Sequence, residues 1–244
     1  MCIKERFFFL EQESCVIHLP EEPNGFGVLL LGDYNYFVEN GTSLWLQHEG
    51  KEKLLNDLRA CGYTIFSSNL YGRHWGSAKA ILLTKRLYHV VQKEEILNEK
   101  IHIIAEGMGA LIALAMMEEM PDLIRSVVML TPCLDLPFHL ELEKGHKFFY
   151  KRLLRELQAA YEVKQDHITD AIAHQTFYRC YSRVPIKIFV PTYEKVERKL
   201  MYREYEKKRR KEGGPYSLSF YLPDIKYEIA PSISRFFQQF ETNL

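Results

Sequence analysis

The residue types able to do chemistry gather in a few short stretches of this 244-residue chain. In Ile101-His102-Ile103-Ile104-Ala105-Glu106-Gly107-Met108-Gly109-Ala110, an apolar run passes through a turn of small residues into an apolar helix. Glu106 at that turn has the chemistry of a general base, and equally that of a carboxylate resting favourably beside a helix N-terminus. The amides after Gly107 are suited to an anion such as a carboxylate or phosphate. Thr131-Pro132-Cys133-Leu134-Asp135 offers a thiol and an acid after another apolar run, at the sheet edge where open α/β folds bind ligands. A lone thiol there also reads as a small buried apolar residue. His139, Glu141, His146, His167, Asp170 and His174 carry metal-binding side chains but match no zinc spacing, so they read as packing or surface groups. Ile112 stands where a dinucleotide fingerprint needs its third glycine. Neither a metal nor a cofactor is expected.

The elements that position these residues follow from apolar periodicity. Phe7–Leu10 and Cys15–Leu19 predict a strand pair, and Pro23-Asn24-Gly25 a turn before the continuous apolar run Phe26–Leu31. Strands at Tyr63–Ser67, Ile101–Ala105 and Ser126–Leu130 then alternate with helices marked by Leu54, Leu55 and Leu58, by Leu83, Leu87, Val90 and Val91, and by Leu111, Ile112 and Leu114. That rhythm predicts an α/β fold: a mostly parallel sheet with helices on both faces. It breaks at 134–183, where Phe149, Leu153 and Leu157 mark one amphipathic helix and Ile168 and Ile172 another. This stretch is expected to be a helical lid inserted into a single domain spanning 1–244. Pro185–Val190 predicts a further strand, 194–211 a highly charged helix, Ser217–Leu222 a last strand, and Ile233, Phe236, Phe237 and Phe240 a closing helix.

The strand–turn–helix at Ala105-Glu106-Gly107-Met108-Gly109 resembles the nucleophile elbow, G-x-S-x-G, of the α/β-hydrolase family. Gly27-Val28-Leu29-Leu30-Leu31-Gly32 is similar to the family's strand leading into its His-Gly oxyanion loop, with Leu31 in the histidine slot and Asp33 after Gly32. Asn69-Leu70-Tyr71-Gly72-Arg73-His74-Trp75-Gly76-Ser77 looks like its D-x-P-G-x-G-x-S loop, one residue longer. Val184–Val190 resembles its seventh strand, and the resemblance runs from about Gly25 to Phe240. It implies a triad of nucleophile, acid and late histidine. Gly107 stands at the serine position, and all nine histidines precede the seventh strand. The histidine slot falls in Leu222-Pro223-Asp224-Ile225-Lys226-Tyr227-Glu228, nearest Lys226 or Tyr227; the acid slot, Pro191-Thr192-Tyr193-Glu194, offers Glu194.

Composition narrows the function classes. Lys+Arg and Asp+Glu both number 32, so no overall positive field attracts nucleic acid or anionic lipid, and self-association stays open. Five dispersed cysteines form no disulfide pattern and fit a reducing compartment. No apolar run approaches the ~20 residues of a membrane span, and the first residues lack a signal h-region. A cytoplasmic protein is expected.

The sequence thus predicts a binding protein rather than an enzyme: a hydrolase fold without the serine and late histidine, holding a small apolar or anionic ligand, acyl or carboxylate-bearing. Gly32, Asp33, Glu106, Gly107 and Met108 are the expected ligand residues, and loss of the serine side chain is expected to open space above the turn. An enzyme using Glu106, Asp33, Cys133 or Asp135, or a scaffold acting through the charged helix 194–211, are the alternatives. Of the aromatics Phe138, Phe148, Phe149, Tyr150 and Tyr161, helical spacing suits a cavity wall and core packing equally.

Overall fold

A computed structural model describes residues 4–177, 181–222 and 228–241. The chain opens with β1 (Glu5–Leu10), β2 (Glu13–His18) and β3 (Gly27–Leu31), then a two-stranded ribbon of β4 (Val38–Glu39) and β5 (Thr42–Ser43). After α1 (Leu44–Gln47) and α2 (Glu49–Ala60) come β6 (Thr64–Ser68), α3 (Ala78–Glu94), β7 (Ile101–Glu106), α4 (Gly109–Glu119) and β8 (Ile124–Leu130). Three helices follow, α5 (Leu136–Glu143), α6 (Lys147–Tyr161) and α7 (Ile168–Ile172). The chain then runs through β9 (Ile186–Pro191), α8 (Val196–Glu212), β10 (Tyr216–Tyr221) and α9 (Ala230–Gln238).

Eight strands form one sheet in the order β1-β2-β6-β3-β7-β8-β9-β10. β1 pairs antiparallel with β2 and β2 with β6, and every other pairing is parallel. The α/β expectation holds, with the antiparallel pair at one edge. Because all five residues of β3 are buried, its alternate side chains feed two different cores. Leu29 and Leu31 pack with α3 and α4 on one face, and Val28 and Leu30 with Trp45, α2 and α9 on the other. Each fully buried leucine or valine contributes about 1.5–3 kcal/mol of transfer free energy.

The helices between β8 and β9 bury a third apolar cluster, including Leu153, Leu157, Ile168 and Ile172, against Trp75, Met108 and Leu111. α5 starts where Asp135 accepts a hydrogen bond from the Phe138 amide at 2.8 Å, with Pro137 in its first turn. Thr176 donates to the other Asp135 oxygen and pairs with Asp135 in an isolated antiparallel bridge, so the two ends of the insertion are tied together. Tyr161 donates to the Trp75 carbonyl at 2.8 Å and Gln175 to that of Gly76 at 2.5 Å, fastening the insertion to the loop after β6.

The basic end of the charged helix is not wholly solvent-facing, since it contains a fully buried Arg209, which donates to the Ser182 and Val184 carbonyls. No helix among the described residues is long and apolar enough to cross a membrane.

Candidate functional site

β7 runs through Glu106 into the turn at Gly107, whose φ of +51° lies in the left-handed region, and α4 begins at Gly109. The close approach needs small residues, since a Cβ on Gly109 would stand 2.5 Å from the Leu31 carbonyl oxygen. The Gly107 amide donates to Leu130 and its carbonyl accepts from Cys133, so the ends of β7 and β8 hold the turn between them.

Asp33, two residues beyond β3, turns its carboxylate onto this turn. It accepts the Met108 amide at 3.0 Å and is also hydrogen-bonded by the Tyr34 amide. A Cβ built on Gly107 would collide with that carboxylate. The space expected to open above the glycine is therefore filled from within the chain, which corrects the sequence expectation. Burial pushes the Asp33 carboxyl above its ordinary range, opposed by the two amides, raised further by Glu106 and lowered by Lys51.

Glu106 points from the same turn and is met by Lys51 of α2, whose ammonium also lies 5.3 Å from the centre of the Trp45 ring. A cavity of about 480 Å³ opens beyond these groups, within the range of about 300–1,000 Å³ usual for small-molecule sites. Its floor is Asp33, Glu106, Gly107 and Met108, its roof includes Phe149, Arg152 and Leu153 of α6, and its side wall includes Tyr193, Lys195 and Arg198 at the start of α8.

The roof is held by Glu156, which accepts from Arg73 at 2.6 Å and from the Trp75 indole at 2.9 Å and lies 3.5 Å from Arg152. The Arg152 guanidinium also covers the rings of Tyr34 and Phe149. His139 stacks on Trp75 with ring centres 5.4 Å apart, and its Nδ1 accepts from Arg198 at 2.9 Å. Burial and the charges of Arg198 and Lys195 push the His139 imidazole down to about 3, so it is neutral at pH 7. Trp75 (φ +43°) and Thr131 (φ +46°) are non-glycine residues in left-handed conformation at the rim, the kind of strain that collects where a surrounding structure over-determines a site.

The α/β-hydrolase fold family model matches the sequence over residues 37–231. The chain belongs to that family. No curated protein matches it in sequence. Among solved structures of this fold, it superposes on S-formylglutathione hydrolase from Agrobacterium tumefaciens with a TM-score of 0.66 at 11% identity, covering 97% of this chain and 94% of that one. Est1E from Butyrivibrio proteoclasticus gives 0.61 at 11% identity, with 97% and 98% covered. Acylaminoacyl peptidase from Pyrococcus horikoshii gives 0.73 at 10% identity, with 98% of this chain on 43% of that one. At such identities the likeness is one of α/β-hydrolase fold.

Of the residues singled out from sequence, the fold brings Asp33, Glu106, Gly107, Met108 and Cys133 to the cavity wall. Gly32 sits against the Tyr36 ring, and Asp135 is engaged as the cap of α5. Burial pushes the Cys133 thiol up to about 12, with Arg198 opposing, and the thiol makes a long contact to the Asp135 carbonyl at 3.8 Å. Glu194 lines the cavity rim, whereas Pro223–Tyr227, the segment proposed for a late histidine stand-in, lies outside the described residues. Among the five insertion aromatics only Phe149 lines the cavity; Phe148 is exposed and Phe138, Tyr150 and Tyr161 pack against buried clusters. No group of three His, Cys, Asp or Glu among the described residues is arranged to hold a metal ion.

Sequence reasoning missed Lys51, Arg152 and Arg198. Arg198 carried a signal, because it stands with Lys195 and Lys199 at a helix N-terminus, where cations oppose the macrodipole.

Proposed function

We propose that this α/β-hydrolase-fold protein binds a small ligand in the cavity between the Asp33–Gly107 floor and α6 and does not cleave it by the family's serine mechanism. The observation that carries this reading is the Asp33 carboxylate on the Met108 amide. In a working elbow the amide after the nucleophile is a donor of the oxyanion hole, joined by one from the loop after an earlier strand. Here Met108 and Tyr34 both give their amides to a resident carboxylate, and the turn residue has no side chain to attack with.

The walls suit a ligand with an apolar body, which Phe149, Leu153, Met108 and Leu130 can cover, and a polar end. The helices α5–α7 act as its roof, and binding takes place in solution, with the chain as one domain. A second reading keeps an enzyme: Asp33, with its raised proton affinity, is a general acid or base for a proton transfer at the cavity floor. The scaffold alternative gains little from α8, since Arg203 and Arg210 both pair with Glu206 and Lys208 with Glu212.

Hydrolysis of short- and medium-chain esters by wild type and by Asp33→Asn and Cys133→Ala tests the proposal. Rates equal to buffer in all three support binding without cleavage. Turnover above buffer that vanishes in either variant overturns it and assigns the chemistry to that residue.

A further inference from the structure

Three cations line the cavity, Arg152, Lys195 and Arg198, and among the described residues Arg198 is the one of the three that pairs with no carboxylate. Glu106 is met by Lys51, Glu156 by Arg73 and Arg152, and Glu143 by Lys195 at 3.8 Å. Asp33 is turned onto backbone amides, and Glu194 accepts from the Lys195 amide at 2.9 Å. Arg198 has no ion pair with any described carboxylate, and its hydrogen bond goes to the neutral ring of His139. A guanidinium presents five donors in a planar fork, and a single imidazole nitrogen engages one of them.

Two further features favour an anion at this place. Arg198 lies in the first turn of the 17-residue α8, so the partial positive charge of the helix end adds to its own. The stack of His139 on Trp75, itself fixed by Glu156, holds the Arg198 fork in one orientation toward the cavity. The unpaired guanidinium of Arg198 places an anionic head at the α8 wall, with the apolar body along Phe149 and Leu153.

We infer that Arg198 is the receptor for a compact anionic head, carboxylate or phosphate, of an amphiphilic ligand, and that His139 is the residue positioning it. The inference rests on the ligand-binding reading above and names the chemical class of that ligand.

Calorimetry with octanoate, octyl phosphate and octan-1-ol on wild type, Arg198→Met and Arg198→Lys tests it. In wild type the better anion should bind at least tenfold tighter than the alcohol, and that ratio should fall close to one in Arg198→Met and partly return in Arg198→Lys. Raising salt on wild type should weaken the anion and leave the alcohol unchanged, a check that needs no variant to fold. The preferred anion identifies the head. An unchanged ratio in a folded Arg198→Met, binding of the alcohol alone, or binding of none of the three overturns the assignment. Ester turnover in wild type with the ratio still lost in Arg198→Met would instead sink the non-hydrolytic reading and leave the anion receptor standing.

Discussion

The carboxylate of Asp33 lies where a Cβ on Gly107 would have to go, and it takes the Met108 amide at 3.0 Å. The two residues are 74 positions apart in sequence, and each explains the other. A side chain at 107 requires the acid to leave, while the acid at 33 requires a glycine at 107.

Gly107→Ser alone should therefore fail to create an esterase. The serine must occupy φ +51° and displace Asp33, at a cost of about 1–3 kcal/mol in backbone strain alone. Melting should show a lowered midpoint for Gly107→Ser and partial recovery in Asp33→Gly/Gly107→Ser. A single variant as stable as wild type would mean that Asp33 swings away freely.

Thiol reactivity should separate the three cysteines of the described residues. Burial raises Cys15 to about 11 and Cys133 to about 12, whereas Cys61 is exposed. At pH 8 a thiol of pKa 12 is thiolate in roughly one molecule in 10⁴. Peptide mass spectrometry after brief iodoacetamide treatment should find Cys61 modified and Cys15 and Cys133 intact. Rapid modification of Cys133 would contradict its buried, protonated state.

Removing the Lys51 ammonium should cost more than an ordinary surface change. Its pair with Glu106 is largely shielded, with side chains 8% and 12% exposed. Breaking a buried pair from one side costs about 3–5 kcal/mol, much of it for the remaining charge. Urea unfolding should show Lys51→Met strongly destabilised and Lys51→Met/Glu106→Gln substantially recovered. Equal losses in the two variants would place the contribution of Lys51 in its packing on Trp45 instead.

Acid should destabilise the fold earlier than carboxylate protonation alone would. Burial pushes His18 and His74 down to about 3, as it does His139. Between about pH 6.5 and 3 the unfolded chain binds protons that these folded imidazoles refuse, so stability falls as pH drops through that window. Each contributes up to about 1.4 kcal/mol per pH unit. The Gly76 amide donates to His74 Nδ1 at 3.1 Å, a bond that requires that nitrogen unprotonated. Urea midpoints at pH 7, 6 and 5 should fall steadily in wild type and less steeply in His74→Asn; parallel slopes would remove His74 from the account.

The sheet was legible because short apolar runs rich in Val, Ile and Leu, such as Val28–Leu31 and Ile101–Ala105, bounded by turn residues and alternating with helical periods, suit strands buried on both faces. The helices of 134–183 were partly legible: Leu153 and Leu157 show the period of α6, whereas α5 announces itself only through Asp135 and Pro137 at its start. The site was less so. Glu106 and Met108 could be found beside the turn, but nothing local tells Asp33 to fold over Gly107 or Lys51 to reach a residue 55 positions away. Arg209 makes the same point, since a basic run of Lys and Arg hides one member whose fork satisfies two carbonyls inside the protein.

The ties that run from Asp135 to Thr176, from Tyr161 to Trp75 and from Gln175 to Gly76 make the insertion a fixed wall, built before any guest arrives. Phe149 and Tyr193, which line the cavity, also reach solvent, so a guest meets the cavity from its open side. A cavity walled in this way should be filled in one step: stopped-flow rates should climb in proportion to guest concentration, and a plateau would show that the insertion opens first. Selection then falls on what enters and finds its counter-charge inside, with no closing motion to reward the right shape.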